Sequence, residues 1–135
     1  MSKNHDEENR SNWSVQQWTY YAEKGNKDLA GANLEGATLR FVLGFREANL
    51  RGADLRYVNL KGASLWHANL EGANLEGANL RGADLRYVNL KGANLQGADL
   101  RGANLRGAEL FRVDFEGANL EGHDLDDLRE RVAGF

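Results

Sequence analysis

The sequence predicts an all-β solenoid, a chain that turns a corner every five residues around an interior filled by leucine. Three observations carry that prediction. The chain repeats in units of five from Lys27 to Phe41 and from Leu43 to Asp127, three units before Val42 and seventeen after it. The third place of the twenty units is Leu in eighteen and Phe in two, Phe45 and Phe115. The fifth place is Gly in thirteen, and proline is 0 in the whole chain.

A period of five fits neither standard element. On an α-helix five residues advance about 500°, so successive leucines would spiral round the cylinder and most would be wet. On a flat strand the odd period would send alternate leucines to opposite faces. All of them point inward only if each unit is a short extended segment followed by a bend. The first place supports this, being Ala in fourteen units and Val at Val58, Val88 and Val113, small enough to line the same interior.

The corners are written residue by residue. In Leu-x-Gly-Ala the glycine takes the third place of a four-residue turn, where a type II turn requires positive φ. Thirteen corners should therefore be type II. The units with Phe41, Glu47, Tyr57, His67, Tyr87, Arg112 or Asp127 in that place should use another turn, since a bulky side chain at positive φ is strained. The second place is Asn in ten units and Asp in six. These side chains suit bonding to nearby backbone at the bends.

At these residues, Ala-(Asn/Asp)-Leu-x-Gly repeated over about three quarters of the chain, the sequence resembles the pentapeptide-repeat proteins. The resemblance implies a right-handed, quadrilateral parallel β-helix with four units per coil. That count comes from the resemblance; the period alone shows a bend every five residues. Twenty units then make about five coils, roughly 24 Å tall at a strand spacing of about 4.8 Å. One feature runs across this stacking. The stretch LRGADLRYVNLKGA occurs at residues 50–63 and again at 80–93. A spacing of thirty puts the copies on opposite faces of a twenty-residue coil, so they read as a duplication of sequence and not as one stacked surface.

A solenoid exposes unpaired backbone and apolar interior at its ends, which calls for caps. Residues 1–12 read as a disordered tail and 13–26 as an N-terminal helical cap, with a helix from about Ser14 to Glu23 whose face carries Val15, Trp18 and Ala22 and which stops at Gly25. Residues 27–127 form the repeat, with Val42 as a bulge. Residues 128–135 read as the C-terminal cap. There Leu125, Leu128 and Val132 follow helical spacing, Asp124, Asp126 and Asp127 sit near the positive pole, and Gly134 and Phe135 finish the lid.

With residues twenty apart stacked, the surface sorts into columns. A basic edge runs Arg40, Lys61, Arg81, Arg101. Beside it Arg46, exposed Trp66, Arg86 and Arg106 alternate cation and ring, with His67 and Tyr87 in the adjoining corner places. An acidic face runs Glu35, Arg56, Glu76, Gln96, Glu116, joined by Asp54 and Asp114.

The formal charge of −3 and the absence of cysteine, 0 residues, exclude a generally basic chain, a disulfide framework and a cysteine-ligated metal. His5, His67 and His123 form no pair for metal or nucleophile activation, and His123 reads as a packing or capping residue. No enzyme, cofactor or metal is expected. Met1 to Arg10 hold no apolar core of a signal sequence, so the cytoplasm is the expected location and no membrane is implied.

The expected function is a rigid protein–protein interaction scaffold, monomeric or dimeric through a capping helix, with Trp66, His67, Arg86 and Tyr87 as its contact patch. The resemblance also implies an alternative, a DNA mimic directed at a type II topoisomerase through Glu35, Glu76 and Glu116. A third reading is anion or nucleic-acid binding along the basic edge.

Overall fold

The computed structural model describes residues 10–39 and 45–134. Arg40, Phe41, Val42, Leu43, His5 and Phe135, and the expectations attached to them, lie outside that range. The chain winds into a right-handed β-helix of square section whose sides are single parallel bridges. Asp28, Asn49, Asn69, Asn89 and Glu109 pair in series up one side, and Asn33, Asp54, Asn74, Asn94 and Asp114 up the next. The step is 21 residues across the break that contains Val42 and 20 elsewhere, as in Asp28 to Asn49 and Asn49 to Asn69. We number the sides 1 to 4 in chain order, starting from those of Asp28 and Asn33, and name each corner by the sides it joins.

The interior is a stack of third-place and first-place side chains. The third-place leucines from Leu29 to Leu100 and the first-place alanines between them are almost wholly enclosed, with Phe45 in the same stack and Val58 and Val88 replacing alanine. No polar side chain among the described residues is buried with them. Each unit donates backbone bonds to its neighbours, as when Leu50 N–H reaches Asn69 O at 2.7 Å and Asn69 N–H reaches Ala48 O at 2.9 Å. The second-place Asn or Asp accepts from the backbone N–H two residues on, for example Asn74 Oδ1 from Glu76 at 3.1 Å. This closes the bend from outside, as the side-chain chemistry predicts.

The corners correct one expectation. Glu47, Tyr57, His67, Tyr87 and Arg112 all adopt positive φ, between 57° and 61°, in the place glycine holds elsewhere. They close the same four-residue bond, such as Val58 N–H to Leu55 O at 3.2 Å. The inter-coil ladder explains the tolerance. In this conformation the third-place N–H donates to the next coil, Tyr57 to Glu76 O at 2.8 Å and Tyr87 to Arg106 O at 2.9 Å. A different turn would lose that bond, which offsets left-handed strain of about 1–2 kcal/mol.

Both ends are lidded by helices. Arg10–Asn12, assigned above to a disordered tail, forms a 3-10 turn; Arg10 lies 4.8 Å above the Tyr21 ring and bonds Asp28 O at 3.3 Å. Helix α1, Val15–Glu23, starts from a Ser14–Gln17 capping box. It buries Trp18 and Ala22 over the first coil, with Trp13, Trp18 and Tyr21 edge to face.

Helix α2, Leu125–Ala133, is capped by Asp124 and ends at Gly134, left-handed at φ 91°. The twentieth unit therefore departs from the pattern: Leu125 opens the helix and is 47% exposed, and Asp127 is helical instead of a corner. Where α2 takes the place of the last coil's fourth side, Arg131 donates to Leu105 O at 2.8 Å and Ala108 O at 2.7 Å, and His123 Nε2 meets Leu100 O at 2.7 Å.

Candidate functional site

Four side-chain groups of one corner, between sides 4 and 1, are brought into contact. The Arg46 guanidinium lies 5.1 Å from the centre of the Trp66 ring. Trp66 meets His67 edge to face at 4.1 Å, and His67 stacks on Tyr87 at 5.0 Å and 19°. The Tyr87 ring in turn covers the glycine corner of the next coil, so that a Cβ on Gly107 would collide with it. Trp66 is half-buried, not exposed as expected, because Arg46 and His67 cover it.

Arg86 stands beside this stack, held by a two-pronged bond to Asp84 at 2.9 and 2.8 Å. That bond, helped by the charge of Arg46, holds the Asp84 carboxyl below the usual range, and the bond to Asp84 in turn raises Arg86. Arg106, one coil further, is exposed and makes no ion pair among the described residues. The candidate patch Trp66, His67, Arg86 and Tyr87 is thus one surface with Arg46 above it and Arg106 below.

The basic edge occupies the corner between sides 3 and 4. Lys61, Arg81 and Arg101 stand one coil apart there, and Arg40 lies outside the described residues. Arg101 is tied to Asp99 at 2.6 Å. Its bond, and the charges of Arg101 and Arg81, lower the Asp99 carboxyl.

The acidic face, between sides 2 and 3, holds Glu35, Glu76 and Glu116 with Arg56 and Gln96 between them. Arg56 is forked onto Asp54 at 2.9 and 2.7 Å and reaches Glu35 at 3.1 Å, so its charge is spent within the column. Hydrogen bonding to Arg56 lowers Asp54, and the Glu116 N–H, with Gln96, lowers Asp114. Tyr57 lies over Gly77, where an added Cβ would fall 2.5 Å from its ring. Below it a shallow groove of about 470 Å³ runs along Gly77, Gly97 and Gly117.

Sequence reasoning did not find the tyrosine-on-glycine packing, although the spacing of twenty between Tyr57 and Gly77, and between Tyr87 and Gly107, carries it. It also overlooked Arg131, whose role depends on which carbonyls the last coil leaves open. Under α2 lies an apolar cleft of about 450 Å³ lined by Val113, Phe115, Leu120, Leu125, Leu128 and Val132. Among the described residues no group of three or more His, Cys, Asp or Glu is placed to hold a metal, and no helix is long and apolar enough to cross a membrane.

The family model for pentapeptide repeats matches the chain in 8 copies, over residues 48–86, 59–97 and 89–127. A pentapeptide repeat protein from Nostoc Pcc 7120 is 35% identical, with a TM-score of 0.58, over 85% of this chain and 92% of that one. One from the Arabidopsis thaliana thylakoid lumen is 33% identical, with a TM-score of 0.47, over 81% of this chain and 78% of the other. A third, from the cyanobacterium Cyanothece 51142, is 30% identical over 81% and 93%, with a TM-score of 0.42. No curated protein matches the chain.

Proposed function

The chain belongs to the pentapeptide repeat family, and from that membership we propose that it is a non-enzymatic, rigid protein-interaction module that docks its partner on the corner of Trp66, His67, Arg86 and Tyr87. The observation that carries this reading is the unbroken contact series from Arg46 through Trp66 and His67 to Tyr87. Aromatic and arginine side chains supply most of the energy at protein contacts, chiefly where their rotamers are already fixed. Here the rings brace one another, Asp84 fixes the Arg86 fork, and the backbone beneath is locked at positive φ. Little side-chain freedom is left to lose on docking.

The DNA-mimic reading asks for unbroken negative charge along the rod. Arg56 interrupts that column and is bonded to two of its carboxylates. Binding of nucleic acid along the basic edge is disfavoured likewise, since Arg101 is committed to Asp99.

The test is retention of partners from the native cell lysate by immobilised protein. A Trp66→Ala, Arg46→Glu variant is expected to lose what the wild type retains, and a Glu76→Lys, Glu116→Lys variant to keep it. Loss only in the second variant would transfer the function to the acidic column, and inhibition of supercoiling by purified protein would do the same.

A further inference from the structure

The duplication at a spacing of thirty places one structural module on two diagonal corners with opposite charge around it. Asp54, Arg56, Tyr57 and Gly77 form it between sides 2 and 3; Asp84, Arg86, Tyr87 and Gly107 form it between sides 4 and 1. In each, aspartate forks the arginine and tyrosine lies over the glycine of the next coil. The first is flanked by Glu35, Glu76 and Glu116, the second by Arg46 and Arg106.

Level by level, the two corners match. On the first coil Arg46 has Glu35 as its counterpart across the rod, and on the second Trp66 has Arg56. On the third coil Arg86 has Glu76. On the fourth Arg106 has Gln96, whose Nε2 holds the Asp114 carboxylate at 2.6 Å. The first and third levels thus set a cation against a carboxylate, the second sets a cation against a ring, and at the fourth the carboxylate stands behind Gln96. The fifth carries no such pair: Asp126 lies in α2, engaged by Arg129 at 3.3 Å. Shape follows charge. Tyr87, 44% exposed, stands at the height of the glycines that line the shallow groove beneath Tyr57.

We propose that the partner of the Trp66 corner is the acidic corner of a second copy of this chain, the rods lying side by side, parallel and in register. This rests on the reading of that corner as the contact surface and names its occupant. Because the two corners are diagonal, the contact is heterologous and does not close: a pair keeps a free acidic corner on one copy and a free basic corner on the other, so association runs beyond the dimer. Its energy comes from exposed charge pairs, so it is weak and salt-sensitive.

Sedimentation velocity over a concentration series tests it, in about 20 mM salt and in about 500 mM, where the screening length falls to roughly 4 Å. The full chain is expected to form species larger than dimers in low salt and to be monomeric in high salt. Arg46→Glu, Arg86→Glu makes both corners acidic, and Glu35→Lys, Glu76→Lys makes both basic. Each variant alone is expected to stay monomeric with an unchanged circular dichroism spectrum, and an equimolar mixture to associate again. That rescue cannot come from misfolded variants.

A wild type that stays monomeric throughout, or a salt-insensitive dimer that both variants retain, would overturn the inference. So would an acidic peptide or oligonucleotide seated on the basic corner of a protein that remains monomeric. If lysate partners are still lost with Trp66→Ala from such a monomer, the inference fails and the contact surface stands.

Discussion

Tyr57 and Tyr87 sit in nearly identical backbone frames and face different worlds. Both have φ near 60°, at 57° and 60°, and both cover a glycine twenty residues on. Tyr87 carries His67 on its outer side, stacked at 5.0 Å, whereas Tyr57, 58% exposed, has Glu76 beside its groove. The difference shows which parts of a repeat module are fixed by the fold and which are free for recognition. Corner geometry follows from the ladder and is the same twice. The fourth and fifth places, which the ladder does not constrain chemically, decide what each corner attracts.

The largest expected effect tests the shared part. Gly77→Ala and Gly107→Ala should each cost about 2–4 kcal/mol, combining left-handed strain of about 1–2 kcal/mol with displacement of a packed ring. Gly97→Ala, where nothing lies within 4 Å of an added Cβ, should cost the strain alone. Denaturant unfolding of the three variants measures this, and equal losses would remove the tyrosine contact from the account.

A smaller effect probes the difference between the corners. Tyr87→Ala should destabilise more than Tyr57→Ala, by about 0.5–1.5 kcal/mol, the worth of an aromatic pair. Introducing His67→Ala into both should abolish that gap.

The smallest effect concerns the forks. Asp54 and Asp84 are held below the ordinary carboxylate range, chiefly by hydrogen bonds from Arg56 and Arg86. A depressed folded pKa means stability that is present above the unfolded value, near 3.9, and is lost as pH falls through the folded one. Asp54→Asn and Asp84→Asn should each cost up to about 1 kcal/mol at pH 7, the range of exposed ion pairs, and progressively less as pH falls through the folded value. Unequal losses would show that the flanking charges reach into the forks.

Much of this was legible in the sequence because it depends on spacing. The period of five with leucine in the third place requires a coil, and the first helix begins where Ser14 caps it. The left-handed tyrosines were misread because steric preference is local, whereas the Glu76 carbonyl that accepts from the Tyr57 N–H lies on another coil. Leu125 was misread because it fits the period, whereas the Asp124 side chain accepts from the Asp126 and Asp127 N–H groups and starts a helix there instead. The columns gave the members of the Trp66 patch. That Arg46 and His67 half-bury Trp66, and that Tyr87 needs Gly107, emerged only from side-chain placement.

Both corners presuppose that residues twenty apart stack and residues ten apart lie diagonally across the rod. The chain contains 0 cysteines, so pairs can be introduced cleanly. Stacked positions about 4.8 Å apart fall within the roughly 4.4–6.8 Å that a disulfide spans. Under mild oxidation Glu76→Cys with Gln96→Cys is predicted to form an intramolecular disulfide, and Glu76→Cys with Arg86→Cys to form none within one chain. Ready intramolecular cross-linking of the second pair and not of the first would contradict the coil, and with it both corners.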